Sequence, residues 1–194
     1  MPLPPPAKRR QLHTRKILCE GFLREDKLWD IEAKLVDTKC YGYSNHDRGL
    51  IPAGEPIHHM HLRITLDLDM VIHAVATSIE YTPFRICPNA SQYMQRLKGL
   101  IIGPGWMRQV RELIENHHSC THLIELLGPL STTAYQTMHQ ALEERAQANL
   151  ASNTKRAEPA ILDQCHSLSR DSEVVKVVWP EFYTGKTEEP LQEP

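Results

Sequence analysis

The alternation of apolar and polar positions in the first part of the chain predicts an antiparallel sheet. From Leu12 to about Lys39 the side chains alternate, with a polar turn at residues 24–27, and a period of two is typical of half-buried strands. Residues 58–66 and 70–81 repeat the pattern around a turn at residues 67–69. The sequence therefore predicts two hairpins, separated by the long glycine- and proline-punctuated connection at residues 41–57.

The second half of the chain changes to a helical period. Short helices are predicted around Tyr93 and from Trp106. A longer helix is predicted after Ser119, with its apolar side at Leu123, Leu126, Leu127, Leu130, Ala134 and Met138. Gly128-Pro129 should kink or split it. Strands followed by helices indicate an α+β fold, an N-terminal antiparallel sheet packed against C-terminal helices. The valines at 174, 175, 177 and 178 predict a final short strand.

The length of 194 residues is enough for one good core and too short for two ordinary domains. We expect a flexible, proline-rich and basic arm at residues 1–11 and one domain at residues 12–185. Within that domain, residues 146–160 are polar and aperiodic and predict a mobile linker, and residues 186–194 predict a frayed tail.

Charge and composition narrow the class of partner. The formal net charge is −2 and 41% of residues are hydrophobic, so neither nucleic acid nor a membrane surface is an expected partner. No apolar run is long enough to span a bilayer and no secretory signal is apparent, which predicts a cytoplasmic protein. Five cysteines without a CxxC pair fit reduced thiols. A net charge near zero makes self-association easy, and we expect a homodimer.

The connection at residues 41–57 is the first candidate for chemistry. Tyr41, Tyr43, His46 and Arg48 lie within eight residues, and such a set can bind an anion or run acid–base chemistry. The alternative is a solvated turn.

The second candidate begins at Glu55 and continues into the strand that follows. On a strand, His59, His61 and Arg63 share one face, and two histidines at this spacing can bind a metal that Glu55 would complete. An exposed strand face without a role is the alternative.

The third candidate is the start of the long helix. His122 and Glu125 are three residues apart and share a face, where an apolar wall moves pKa values towards neutrality. The helix dipole favours the thiolate of Cys120, although a buried cysteine more often acts as a small hydrophobe. Cys165 and His166 point in different directions, and one of them can return to the His122 region.

Several stretches carry a family resemblance: residues 28–32, 35–39, 51–58, 102–106, 120–129 and 162–166. On these the chain resembles the bacterial domain-of-unknown-function family 2889 over nearly its whole ordered length. His59 stands where the family has an acidic residue, which weakens a metal site that relies on a carboxylate there, and Ser119 replaces a glycine.

The resemblance implies a role in aromatic catabolism, on lignin-derived phenolic dimers that lose a hydroxymethyl carbon as formaldehyde. The leading hypothesis is a cofactor-independent lyase with His58 or His122 as the acid–base group and Glu125 as its orienting partner. Its small aromatic substrate would be bound by the following residues: Tyr41, Tyr43, His46, Arg48, Glu55, Cys120, Cys165 and His166. The alternatives are a hydrolase with a divalent transition metal on His58 and His122, or a non-catalytic ligand-binding or assembly protein.

Overall fold

The computed structural model describes residues 3–151, 158–159 and 161–185. The chain divides into two compact units, residues 1–142 and 143–194, and each is described by itself. Residues 3–12 are exposed and form neither helix nor strand. The predicted extent of a single domain stays a prediction.

The first unit is built on an antiparallel sheet. Its strands are β1 (His13–Leu23), β2 (Trp29–Lys39), β3 (Tyr43–Asn45), β4 (Gly49–Ile51), β5 (Pro56–Leu66) and β6 (Ile72–Tyr81). Four of them form one sheet in the order β1-β2-β5-β6, while β3 and β4 pair separately. Both predicted hairpins are confirmed. The small β3–β4 hairpin lies in the connection for which no element was predicted, because three-residue strands are too short to show a period.

One face of the large sheet forms the core together with the long helix. Alternate residues of β2 and β5 are buried, and so are the six apolar residues predicted for the helix α2 (Thr121–Ala151). At Gly21 a Cβ atom would lie 1.8 Å from Oγ1 of Thr137. The helix can therefore pack against β1 only because residue 21 has no side chain.

The other helical predictions are confirmed with changes in detail. The helix α1 (Trp106–Leu113) follows Gly105, whose φ of 80° suits glycine. The segment around Tyr93 is a 3₁₀ helix, Cys87–Leu97. Pro129 does not split α2, which continues through it. Hydroxyl groups bond the carbonyls near Pro129, as those of Ser131 and Thr133 do to Gly128 and Pro129.

In the second unit, the predicted final strand is wrong. Residues Glu173–Val178 form the helix α3, in which Val175 is buried and Ser172 caps the first turn by accepting a hydrogen bond from the Val175 amide. Val174 lies three and four positions before the last two valines, and Val175 lies three before Val178. These are helical spacings, and in this segment they outweigh the preference of valine for strands.

Two predicted segments lie partly or wholly outside the described residues. Residues 146–151 of the predicted linker are helical and continue α2, while residues 152–157 and 160 are not described, so the mobility of this segment stays a prediction. The predicted frayed tail, residues 186–194, lies outside the described residues. Among the described helices, none is both long enough and apolar enough to cross a membrane.

Candidate functional site

A buried carboxylate lies at the end of the apolar row of β2. Trp29, Ile31, Ala33 and Leu35 occupy the alternate core-facing positions, and Asp37 continues the row with 1% of its surface exposed. A carboxylate in such a position needs charged or hydrogen-bonding partners. Five side chains lie around it, and together with Asp37 we call them the Asp37 cluster: His13, Arg15, His58, His122 and Glu125.

Arg15 holds Asp37 from the β1 side. The two residues are direct partners in the β1–β2 register. Nε of Arg15 lies 2.8 Å from Oδ1 and Nη2 lies 2.7 Å from Oδ2, a bidentate geometry that fixes the orientation of the carboxylate. Nε2 of His13 lies 3.3 Å from Oδ1.

His58 holds Asp37 from the β5 side, where it is the register partner of Asp37. Its Nδ1 atom lies 3.0 Å from Oδ2 of Asp37. This contact favours the tautomer that carries its proton on Nδ1 and a lone pair on Nε2. Among the residues that the structure describes, Nε2 of His58 has no hydrogen-bond partner, so it is available as a base.

His122 comes from the first turn of α2 and meets His58. The centroids of the two imidazole rings are 3.7 Å apart, and the ring planes are tilted by 31°. Nε2 of His122 lies 3.7 Å from Oδ2 of Asp37, and Nδ1 lies 3.9 Å from Sγ of Cys120. The side chains of His58 and His122 are 16% and 22% exposed, so solvent reaches the pair.

The surroundings change the pKa values of all three central groups. Burial lowers the pKa of His58 and the neighbouring His122 lowers it further, against the opposite effect of Asp37. Burial and the charge of Arg15 lower the pKa of His122. Burial alone would raise the pKa of Asp37, but the hydrogen bonds and charge of Arg15, with those of His58, bring it below its ordinary value. At neutral pH the cluster therefore pairs an ionised carboxylate with two neutral imidazoles.

Glu125 reaches the cluster through Arg15. Its Oε2 atom forms an ion pair with Nη1 of Arg15, and the hydrogen bond to Asp37 is the main cause of the raised pKa of Arg15. The carboxylate nearest both histidines is that of Asp37. The role of Glu125 as the orienting partner of His122 stays a prediction.

Three residues of the predicted binding loop have partners within their own neighbourhood. His46 is largely exposed, and its Nδ1 atom lies 2.8 Å from Oδ1 of Asp47. Nζ of Lys39 lies 5.2 Å from the ring centroid of Tyr41 and 5.9 Å from that of Tyr43. Within the described chain, none of the hydrogen bonds or ring contacts of these three residues is made to the Asp37 cluster.

Arg48 and Glu55, which were also predicted to bind substrate, form an ion pair with each other. Arg48 also donates a hydrogen bond of 2.9 Å to the carbonyl of Pro56, and its guanidinium lies 5.3 Å from the ring centroid of Tyr81. Tyr81 is the register partner of His59. Through Tyr81, the Arg48–Glu55 ion pair therefore contacts the face of the sheet that carries His59, opposite to the face that carries His58.

Cys165 and His166 belong to the second unit. Both are exposed, and His166 begins a 3₁₀ turn, His166–Leu168. Their predicted binding role stays a prediction.

A groove of about 480 Å³ lies on the face of the sheet turned away from α2. Its lining includes Glu20, Glu32, Lys34, His61 and Arg63. These strand residues are exposed or half-buried, whereas Asp37 on the inner face is a buried carboxylate and the pKa values of His58 and His122 beside it are lowered. Perturbed titration is the stronger indicator of a functional site, so we place the candidate site there.

Sequence reasoning found His58, His122 and Glu125 but missed His13, Arg15 and Asp37. One signal was available for Asp37. It occupies the next position in the alternating row of Trp29, Ile31, Ala33 and Leu35, where a carboxylate has no place unless it is paired. His13 and Arg15 gave no comparable signal, because basic residues on an edge strand are usually solvated.

The chain belongs to a family described as "Protein of unknown function (DUF2889)", whose model matches residues 13–136. The matched region includes every member of the Asp37 cluster and ends before Cys165 and His166. No curated protein and no solved structure matches the chain.

Proposed function

We propose that this DUF2889 member is a cofactor-independent lyase that acts on a small phenolic substrate by acid–base chemistry at the Asp37 cluster. The observation that carries the proposal is the contact between Asp37 and Nδ1 of His58, with the ring of His122 3.7 Å away. A carboxylate on one ring nitrogen makes the other a better base and stabilises the imidazolium that forms. The phenolic substrate class is what the family resemblance implies.

The reaction balances without a redox partner. Nε2 of His58 removes the hydroxyl proton of a hydroxymethyl substituent, and the carbon–carbon bond breaks as the C=O bond of formaldehyde forms. The released electron pair forms a double bond to the neighbouring benzylic carbon, whose oxygen substituent leaves with a proton from the imidazole pair. HO–CH₂–CHR–CH(OX)–Ar has then become formaldehyde, R–CH=CH–Ar and X–OH, and the phenolic ring assists by stabilising the benzylic carbon as its oxygen leaves. Two neutral imidazoles side by side provide both an acceptor and a relay for this proton.

The test is formaldehyde release from a panel of lignin-type phenolic dimers that carry a hydroxymethyl group. We expect turnover by the wild-type protein, and a loss of about a hundredfold or more in His58→Gln and His122→Gln, the usual size of one acid–base contribution. His73→Gln is the matched control, because His73 pairs with Asp67 at the opposite edge of the sheet. Wild-type turnover in both cluster variants would refute the assignment.

A metal-assisted hydrolase is the second candidate. One ligand atom from each of Asp37, His58 and His122 lies within 4.8 Å of the others. Arg15 weakens this candidate, because its guanidinium already occupies both carboxylate oxygens and would repel a cation. Metal analysis of wild type and His58→Gln distinguishes the lyase from the hydrolase. One equivalent of bound metal in wild type that is lost in His58→Gln would favour the hydrolase.

The cytoplasmic location and the homodimer stay predictions. Sedimentation velocity tests the homodimer.

A further inference from the structure

A second histidine cluster lies on the opposite face of the sheet. In β5, Met60 and Leu62 point into the core, so His59 and His61 lie on the outer face. In the β5–β6 register, Met60 pairs with Ile79 but His59 pairs with Tyr81. The intervening Glu80 is therefore the extra residue of a β-bulge, a feature that redirects side chains at the end of a strand.

The bulge brings the Glu80 carboxylate to both histidines. Its Oε2 atom lies 2.8 Å from Nδ1 of His59, and its Oε1 atom lies 3.2 Å from Nε2 of His61. The Nε2 atoms of the two histidines are 3.1 Å apart. The ring of Tyr81 stacks on that of His59 at 6.2 Å between centroids and so holds its orientation.

We propose that His59, His61 and Glu80 bind a divalent transition-metal ion of the zinc class, through Nε2 of each histidine and the carboxylate. Zinc–nitrogen bonds of about 2.0–2.1 Å at a tetrahedral angle place two ligand nitrogens about 3.3 Å apart. The observed separations of 3.1 and 3.2 Å are close to that edge. One ligand atom from each of the three residues lies within 4.8 Å of the others, which is the range in which one ion can join them.

The separation of 2.8 Å between Oε2 of Glu80 and Nδ1 of His59 is an ion-pair contact. Binding of an ion through Nε2 of His59 would turn the carboxylate from Nδ1 towards the ion. Three protein ligands leave a fourth position, and the partial exposure of His61 and Glu80 leaves it open to water or a small ligand.

The other candidate ligand sets of the described chain are less suitable. Asp37 is already neutralised by Arg15. The set of Glu115, His117 and His118 is largely exposed on a 3₁₀ turn, so its ligands have more freedom to lose on binding. At the outer cluster, the opposing cation is Lys34, the register partner of His61. It lies beside the ligands and is not bonded to the carboxylate within the described chain.

The test is a zinc titration of the full, chelator-stripped chain against a chromophoric competitor. Wild type should bind one equivalent that is lost, or weakened at least tenfold, in His59→Gln and in His61→Gln. Glu80→Gln should weaken it at least tenfold, because the amide that replaces the carboxylate ligand carries no charge. Zinc should raise the melting temperature of wild type and leave that of His61→Gln unchanged.

His73→Gln controls for the loss of an exposed histidine, and His58→Gln removes any ion held at the Asp37 cluster. Both should keep the outer equivalent. The proposal is overturned if His61→Gln and Glu80→Gln bind zinc with wild-type affinity and stoichiometry, or if the bound equivalent disappears only in His58→Gln. Because the side chain of His61 is 39% exposed and therefore partly packed, circular dichroism of each variant verifies that the fold is retained.

Discussion

Oδ2 of Asp37 lies 3.0 Å from Nδ1 of His58 across the β2–β5 pair. The two residues are register partners, so the contact follows from the hydrogen-bonded ladder that also aligns the apolar rows of both strands. A shift of one residue would turn Asp37 to the outer face and bury Val36 in its place. The same register that builds the core therefore builds the candidate site.

Asp37→Asn tests the carboxylate without changing its shape. The variant keeps one acceptor oxygen but loses the charge that orients Arg15 and stabilises a protonated His58. We expect formaldehyde release to fall about a hundredfold or more, and the free energy of unfolding to fall by about 1–3 kcal/mol. Turnover assays and urea denaturation measure the two effects. Asp26→Asn, which removes an exposed partner of Arg24, should leave turnover unchanged; equal losses in both variants would contradict the role of Asp37.

The titration of His58 should respond in opposite directions to its two neighbours. His122 lowers the pKa of His58 and Asp37 raises it. His122→Gln should therefore raise the pKa of His58, and Asp37→Asn should lower it further. Imidazole chemical shifts followed by NMR from pH 4 to 9 report both changes. In wild type, where the two imidazoles titrate together, the rate should fall as pH drops below the ordinary histidine value near 6.5. An unchanged His58 titration in both variants would disprove the coupling.

The alternation in β2 and β5 and the apolar side of α2 made most of the fold predictable from sequence. The site was harder to predict. His58 and His59 are neighbours in the chain, yet one faces α2 and the other faces Glu80. Only the strand parity and the two register irregularities next to them, at Asp37/Thr38 and at His59/Met60, assign each of them to its cluster.

The residues that sequence reasoning missed are those joined by long-range pairing. Asp37 and Arg15 are 22 positions apart, and Glu80 meets His59 only through the bulge. Local patterns describe the face on which a residue lies, and they contain no information on which strand lies beside it. Arg48 and Glu55 were predicted to bind substrate from their proximity in sequence to His58. Their contacts run to each other, to the carbonyl of Pro56 and to Tyr81, and their binding role stays a prediction.

Stability should fall in acid over two separate pH ranges. The folded-state pKa values of His58 and His122 lie below 6.5, so the unfolded chain binds more protons between those values and 6.5. The free energy of unfolding therefore rises with pH in that range, and this contribution is complete above 6.5. The lowered pKa of Asp37 adds stability above about 3.9, which is lost as pH falls through its folded value. Urea denaturation at pH 7, 6 and 5 gives the free energy of unfolding at each pH. This free energy should change less with pH in the double variant His58→Gln/His122→Gln than in wild type, and an equal change in both proteins would contradict the assignment.

The contact between Gly21 and Thr137 can be tested by a double-mutant cycle. A Cβ atom at residue 21 would lie 1.8 Å from Oγ1, 2.5 Å from Cγ2 and 2.6 Å from Cβ of Thr137, so Gly21→Ala must displace α2 or distort β1. We expect a loss of about 1–3 kcal/mol, the usual cost of overpacking. Thr137→Ala removes two of the three clashing atoms, so the double variant should recover part of this loss, with a coupling of about 0.5–3 kcal/mol. Additive effects in urea denaturation would show that α2 does not pack against β1 at this point. Because α2 also carries His122, a displaced helix should reduce turnover in Gly21→Ala as well, and the double variant should recover turnover together with stability.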